Sequence, residues 1–254
     1  MQLTKLFSIL IISSLFLVGC SNDDDITAID ANKQPLGSRN SSNNLLSDLN
    51  FKGLTIEIVS VQGFEPTITA INEFRTFLEN RLFKPNGITI NQRSVASSNL
   101  APFNIEEIKN IETTNRVQFN DGDEITVYIY FADGSNEKDT NTKVTLGTAY
   151  LNTSIVIYEK TLRALSNRPN SPMLSSIETA TLNHEFAHLL GLVNIGTPLQ
   201  SQHEDTISKG HCNVKNCLME AAIEFESGMM DILGSGIPKL DPLCIADLRA
   251  NGGK

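Results

Sequence analysis

All four histidines of this chain fall between His184 and His211. Two of them stand in Asn183-His184-Glu185-Phe186-Ala187-His188-Leu189-Leu190-Gly191. On a helix, His184 and His188 lie one turn apart on one face, so both imidazoles can grip a single zinc ion. Glu185 points beside that face, placed to take a proton from a water that the metal activates. Upstream, Ser175-Ser176-Ile177-Glu178 has the form of a capping box. It predicts a helix start with Ser175 as N-cap and Glu178 at the third helical position. Gly191 is a natural C-terminal stop. The bland alternative is an exposed helix that happens to carry two histidines. The spacing, the acid between them and the helix signals together imply a hydrolytic metalloenzyme.

A catalytic zinc takes three protein ligands and keeps one position open. His184 and His188 supply two. The candidates for the third are His203, His211, Asn194 and a carboxylate further on. His203 sits in the polar run Gln202-His203-Glu204-Asp205, which reads as a loop. That setting suits a solvent-exposed side chain, a rival ligand, or a group supporting the site from outside. Cys212, Cys217 and Cys244 lie in the same C-terminal stretch. Three is an odd number, compatible with one disulfide plus a free thiol or with a thiolate metal site.

The N-terminus carries a different signal. Lys5 precedes an apolar run over 6–18, too short to span a bilayer comfortably and shaped like the core of a signal peptide. The run ends Leu17-Val18-Gly19-Cys20, which resembles the bacterial lipobox, where cleavage precedes a lipid-modified cysteine. The expectation is a signal peptide over 1–19, with Cys20 as a lipid anchor that tethers the protein to a membrane without crossing it. Ser21-Asn22-Asp23-Asp24-Asp25 resembles the acidic signal that sends some Gram-negative lipoproteins to the outer face of the outer membrane. It reads equally well as a solvated tether. Residues 20–50, rich in Asn, Ser and Asp, read as a lipid-anchored flexible stalk. A net charge of −9 with no basic patch argues against a nucleic-acid partner.

Residues 51–254 are long enough for one domain with a sizeable core. Leu54-Thr55-Ile56-Glu57-Ile58 alternates as a strand does, and Ile68, Ile71, Phe74, Leu78 and Leu82 recur at helical spacing. A strand follows over 88–95, a short helix near 105–111, and the strongest strand over 125–131. One or two strands over 148–158 precede the histidine helix, and a last helix runs from Asp241 or Pro242 to Ala250. The order predicts an α+β fold, a mixed twisted sheet backed by helices. The active-site helix ends a subdomain over 51–191, and an irregular subdomain over 192–254 closes with a terminal helix.

His184-Glu185-x-x-His188-x-x-Gly191 resembles the metzincin clan of zinc proteases. In that clan the glycine lets the chain turn sharply, and a third histidine usually follows three residues later. This chain departs there, with Asn194 in that place. His211-Cys212-Asn213-Val214-Lys215-Asn216-Cys217-Leu218-Met219 resembles the His-Cys-x4-Cys-x-Met segment of archaemetzincins. The resemblance implies His211 as third zinc ligand, after an insertion over 194–210, and Met219 as the Met-turn residue beneath the metal. Archaemetzincins also complete a second zinc site with a further cysteine pair. Here Asp241 stands where the first cysteine of that pair would be, so a four-thiolate set is absent, and a disulfide among the three cysteines suits an exported protein better. The tyrosine that some metzincins place just after the methionine is also missing, since Glu220-Ala221 follows Met219. The strand over 148–152 is the expected edge along which an extended peptide would lie.

The resulting expectation is a zinc-dependent metalloendopeptidase on a bacterial lipoprotein, with protein or peptide substrates and Glu185 as general base. Two alternatives stand beside it. One is a gluzincin-like site with Glu220 or Glu224 as third ligand. The other is a surface binding lipoprotein that keeps a protease-like fold around an inactive or structural zinc site.

Overall fold

The computed structural model describes residues 31–38, 40–141, 143–221 and 236–254. The segment read as a signal peptide, together with Cys20 and Glu224, lies outside them. A five-stranded sheet runs in the order β2-β1-β3-β5-β4, with β1 Gly53–Val61, β2 Gly87–Val95, β3 Glu124–Phe131, β4 Gly147–Leu151 and β5 Ser154–Ile157. The β1–β2, β1–β3 and β3–β5 pairs are parallel, while β4 joins β5 antiparallel and forms one edge.

The sheet is covered on both faces, so its inner strands read as nearly continuous apolar runs. Strand periodicity then sorts alternate residues to opposite sides. Ile56, Ile58, Val127, Ile129, Ile155 and Ile157 face one core with α2 (Ile68–Glu79) and α5 (Leu174–Leu189). Val59, Val61, Tyr128, Tyr130 and Val156 face a second core with α3 (Ile105–Asn115). Helix α3 opens with a complete capping box, in which Asn104 accepts from the Glu107 amide and Glu107 accepts from the Asn104 amide. Its Glu112–Arg116 ion pair, 2.8 Å long and buried, holds the sheet through Ser154 and the Tyr150 hydroxyl.

Three expectations are corrected. The polar segment at 31–50 is not a free stalk but part of the domain. It forms α1 (Ser41–Leu46), whose Leu45 and Leu46 are fully buried. Lys84 clamps this helix by donating to the carbonyls of Asn44 at 2.8 Å, Phe51 at 2.7 Å and Ser47. Burial pushes that ammonium down to about 8. Second, α5 starts at Leu174 with Met173 as N-cap, and no side chain caps it. Glu178 is instead fully buried and accepts from the backbone and hydroxyl of Thr67, the N-cap residue of α2. The carboxylate that would close a capping box therefore ties two helices together. Third, α4 (Glu159–Ser166), an element not read from the pattern, fills the link from β5 towards α5. A terminal helix, α6 (Pro242–Ala250), lies where it is expected, capped by the Asp241 side chain.

Candidate metal centre and its surroundings

Helix α5 is buried along its length from Ile177 to Leu189, so its polar residues face the interior. His184, Glu185 and His188 are each no more than 6 % exposed. The chain then turns at Gly191, where φ is +81° and a Cβ would lie 2.6 Å from the Thr197 amide. Only glycine fits that close approach. The return through 192–210 brings His211 against the helix, and its ring centroid lies 5.3 Å from His184 and 5.0 Å from His188.

The donor set of these three residues fits a metal cation. His184 Nδ1 meets the Leu218 carbonyl at 2.7 Å, His188 Nδ1 meets Leu192 at 3.1 Å, and His211 Nδ1 meets Lys209 at 3.1 Å. A carbonyl can only accept, so each Nδ1 carries a proton, which leaves Nε2 as the ring atom that can ligate. The Nε2 atoms of His184 and His188 face each other at 3.2 Å. Two lone pairs with no proton between them repel, and a cation between them removes that repulsion. Tetrahedral zinc with Zn–N bonds of about 2.0–2.1 Å sets ligand atoms roughly 3.3 Å apart. Burial and the neighbouring imidazoles hold His184 well below the usual histidine range, and burial with His211 pushes His188 down to about 3. Both rings are therefore neutral at physiological pH, the form that ligates.

Glu185 accepts a 2.8 Å hydrogen bond from the Ala149 amide through Oε2. Tyr158 donates to the Leu146 carbonyl, and Thr148 pairs with Val156, so the alternate residues Gly147 and Ala149 turn their main-chain groups to the open edge of the sheet. A Cβ on Gly147 would meet Glu185 Cγ at 2.7 Å, so glycine lets β4 approach the helix. Neither Gly147 nor Ala149 is singled out by the sequence, because the contact is made by backbone. On its other side α5 lines a groove with Thr179 and Asn183, together with Leu218, Pro238 and Leu240.

The remaining site residues fall into place around this centre. Met219 is fully buried, and the carbonyl of its neighbour Leu218 orients His184. Asn194 is exposed in a left-handed turn, φ 62°, and is not among the clustered donors. Glu220 accepts from the Asn216 amide at 2.6 Å and lies outside the histidine group. His203 is corrected from an exposed loop residue to a fully buried one. It lies 3.3 Å from Asp247 and 3.7 Å from Cys244 Sγ, not with the other histidines.

Cys244 belongs to a second donor cluster with Cys212, Cys217 and Asp241, whose ligand atoms lie within 4.8 Å of one another. The disulfide expectation is corrected, since all three cysteines are free. Hydrogen bonds from Cys217 and Cys244 hold the Cys212 thiol down at about 5, while Cys212 pushes Cys217 up to about 12. Asp241, despite burial that opposes ionisation, is held below the usual carboxylate range by hydrogen bonds from the thiols and the Leu243 amide. Both clusters could coordinate a metal ion.

No protein-family profile and no curated protein sequence matches the chain. Among solved structures, archaemetzincin from Methanopyrus kandleri is similar in fold. The TM-score is 0.51 at 16 % identity, over 79 % of this chain and 96 % of that one. Metalloproteinase-II from Bacteroides fragilis superposes with a TM-score of 0.43 at 12 % identity, over 83 % of this chain and 60 % of that one. The first likeness shows the fold. The chain shares its mixed α/β fold with that protein, and it carries two donor clusters able to take a metal.

Proposed function

We propose that the chain is a zinc-dependent metallopeptidase that cleaves peptide bonds, with Glu185 as general base. The observation that carries this reading is the convergence of three imidazoles, each held by its Nδ1, beside a carboxylate anchored to a sheet edge. His184, His188 and His211 would hold the ion, with Met219 packed under the site. When bound, zinc would supply Lewis acidity, acidifying a water and polarising the scissile carbonyl. Glu185 takes the proton of the attacking water on its carboxylate and passes it to the leaving amine. The Ala149 amide fixes the Oε2 end of that carboxylate, which limits its rotation during both transfers. The peptide lies extended beside β4, the edge strand next to the base. A base poised next to the histidines is what a merely structural or binding site would not need.

For the N-terminus the proposal is export and lipid attachment at Cys20, which would hold the domain at the cell envelope. Among the described residues no helix is long and apolar enough to cross a membrane.

The test is Glu185→Gln in zinc-loaded protein. Cleavage of an unstructured protein substrate should fall by about 10²–10⁴-fold, with zinc content unchanged. A variant that cleaves at the wild-type rate would sink the assignment.

A further inference from the structure

We propose that residues 31–37 are an end wall of the cleft, so that this enzyme trims peptides within about three residues of one terminus. The inference rests on the peptidase reading above and concerns how far a substrate can extend along β4.

The segment is fastened at two ends. At the top it lies across the end of the sheet, bonded to the β4–β5 turn at Asn152 and Thr153 and to β3 at Thr126. The Asn152 amide donates to the Gln34 carbonyl at 2.9 Å, and the Gln34 amide donates to Asn152 Oδ1 at 2.9 Å. Asn152 Nδ2 donates to the Ala31 carbonyl at 2.8 Å, and the Thr153 hydroxyl donates to the Asn32 carbonyl at 2.7 Å. Asn32 is buried, and its amide nitrogen reaches the Thr126 carbonyl at 3.2 Å. At the bottom Gly37, φ +75°, presses on the loop after α5, where a Cβ would lie 2.9 Å from the Ile195 carbonyl oxygen. Ile195 in turn packs on Gly210, the residue before His211.

The segment thus runs from the end of the edge strand to the loop that carries the third histidine. From Gln34 to Gly37 the backbone can span no more than about 11 Å, and a turn closed by the Ser38 amide on the Pro35 carbonyl at 3.1 Å keeps it compact. On the strand side, Glu185 is bonded at Ala149 and the wall begins at Asn152. At about 3.3 Å per residue, a peptide paired with β4 has roughly 10 Å, or three residues, before it meets the wall. Leu36 packs against the main core, so the wall is seated on the domain. A longer extension on that side must stop, and the scissile bond then falls close to a chain end.

Two variants loosen the wall from opposite ends, and neither touches the proposed metal or base residues. Asn152→Ala removes both side-chain bonds at the top, and Gly37→Val is sterically and conformationally excluded at the bottom. Zinc-loaded wild type and each variant are incubated with unlabelled peptides of ten to twenty residues, and the products are mapped by mass spectrometry. Melting curves confirm that the variants fold. Wild type should cut within three residues of one terminus. Both variants should add cuts at least four residues in, with KM for long peptides about tenfold lower and kcat for the shortest substrates unchanged. Cuts by wild type throughout long peptides, or an unchanged pattern in both folded variants, would overturn the wall. Zinc-loaded wild type that cuts no peptide at all would remove the peptidase reading itself, and the wall with it.

Discussion

The histidine cluster and the cysteine cluster share one short stretch of chain, yet they are built for different work. His211 and Cys212 are adjacent and supply one donor to each group. The histidine group offers three imidazole nitrogens beside a carboxylate held at the sheet edge. The cysteine group offers four donors, three thiols and a carboxylate. Three donors leave a tetrahedral ion one position for chemistry, while four close it. The cysteine group also has a mechanical place. Cys212 and Cys217 lie in the returning loop, whereas Asp241 and Cys244 cap and begin α6. An ion there would staple the terminal helix to the segment that presents His211, so the closed centre would position a ligand of the open one.

The sharpest way to break this division is to exchange the roles of the two spare histidines. His211→Ala should remove one zinc equivalent per chain and reduce peptide cleavage to background, since two imidazoles alone hold the ion poorly. His203→Ala should leave cleavage within tenfold of wild type. It should weaken metal at the cysteine group by about 10–100-fold, the usual effect of losing a group that supports a ligand from outside. Metal content by elemental analysis, read beside activity, separates the two. If His203→Ala emptied the catalytic centre and His211→Ala spared it, the assignment of third ligand would be reversed.

A smaller effect probes the closed group alone. Asp241→Ala and Cys217→Ser each remove one of four donors and should cost the second zinc equivalent. A bound ion at a thousandfold excess over its Kd stabilises the folded state by about 4 kcal/mol, so thermal melting should fall by about 10 °C. Activity per folded molecule should persist at low temperature. Chelator should erase the difference, so that treated wild type and treated Cys217→Ser melt together, and a wild-type melting temperature equal to that of Cys217→Ser before treatment would show that no ion sits there.

The contrast also explains what could be read from the sequence. The histidine helix is legible because its ligands are four residues apart and share one element, so local periodicity carries the geometry. The terminal helix is legible from Asp241 and Pro242 for the same reason. The cysteine group is legible only in part, because a thiolate site is one of two readings of three cysteines, and Asp241 becomes a candidate donor only when two distant loops meet. His203 hides its role in a polar run, where burial by Asp247 and Cys244 has no local signature. Residues 31–50 are polar enough to pass for a stalk, and only Leu36, Leu45 and Leu46 betray the packing. Ser175 and Glu178 show the opposite failure, a complete local motif overruled when Thr67 offers Glu178 a better partner.

A last predicted effect comes from the neighbour of that carboxylate, Glu159, and it asks whether α5 is held by the metal or by the fold. Glu159, fully buried on α4, lies against Glu178 and is paired with Arg163 at 2.6 Å. Burial first, then the Glu178 charge, push its carboxyl from 4.5 up to about 8, against the pull of Arg163. The folded state therefore holds a proton that the unfolded chain releases. The stability this proton provides is full below about pH 4.5 and declines as pH rises through 8. Glu159→Gln keeps the neutral shape and should flatten that decline, gaining at most about 4 kcal/mol relative to wild type between pH 5 and pH 8.5. Melting curves taken across that interval with chelator present isolate the effect, because any ion-dependent term is then absent. Parallel curves for wild type and variant would mean that the pair shares no such proton, and that α5 owes its pH dependence to the metal centre instead.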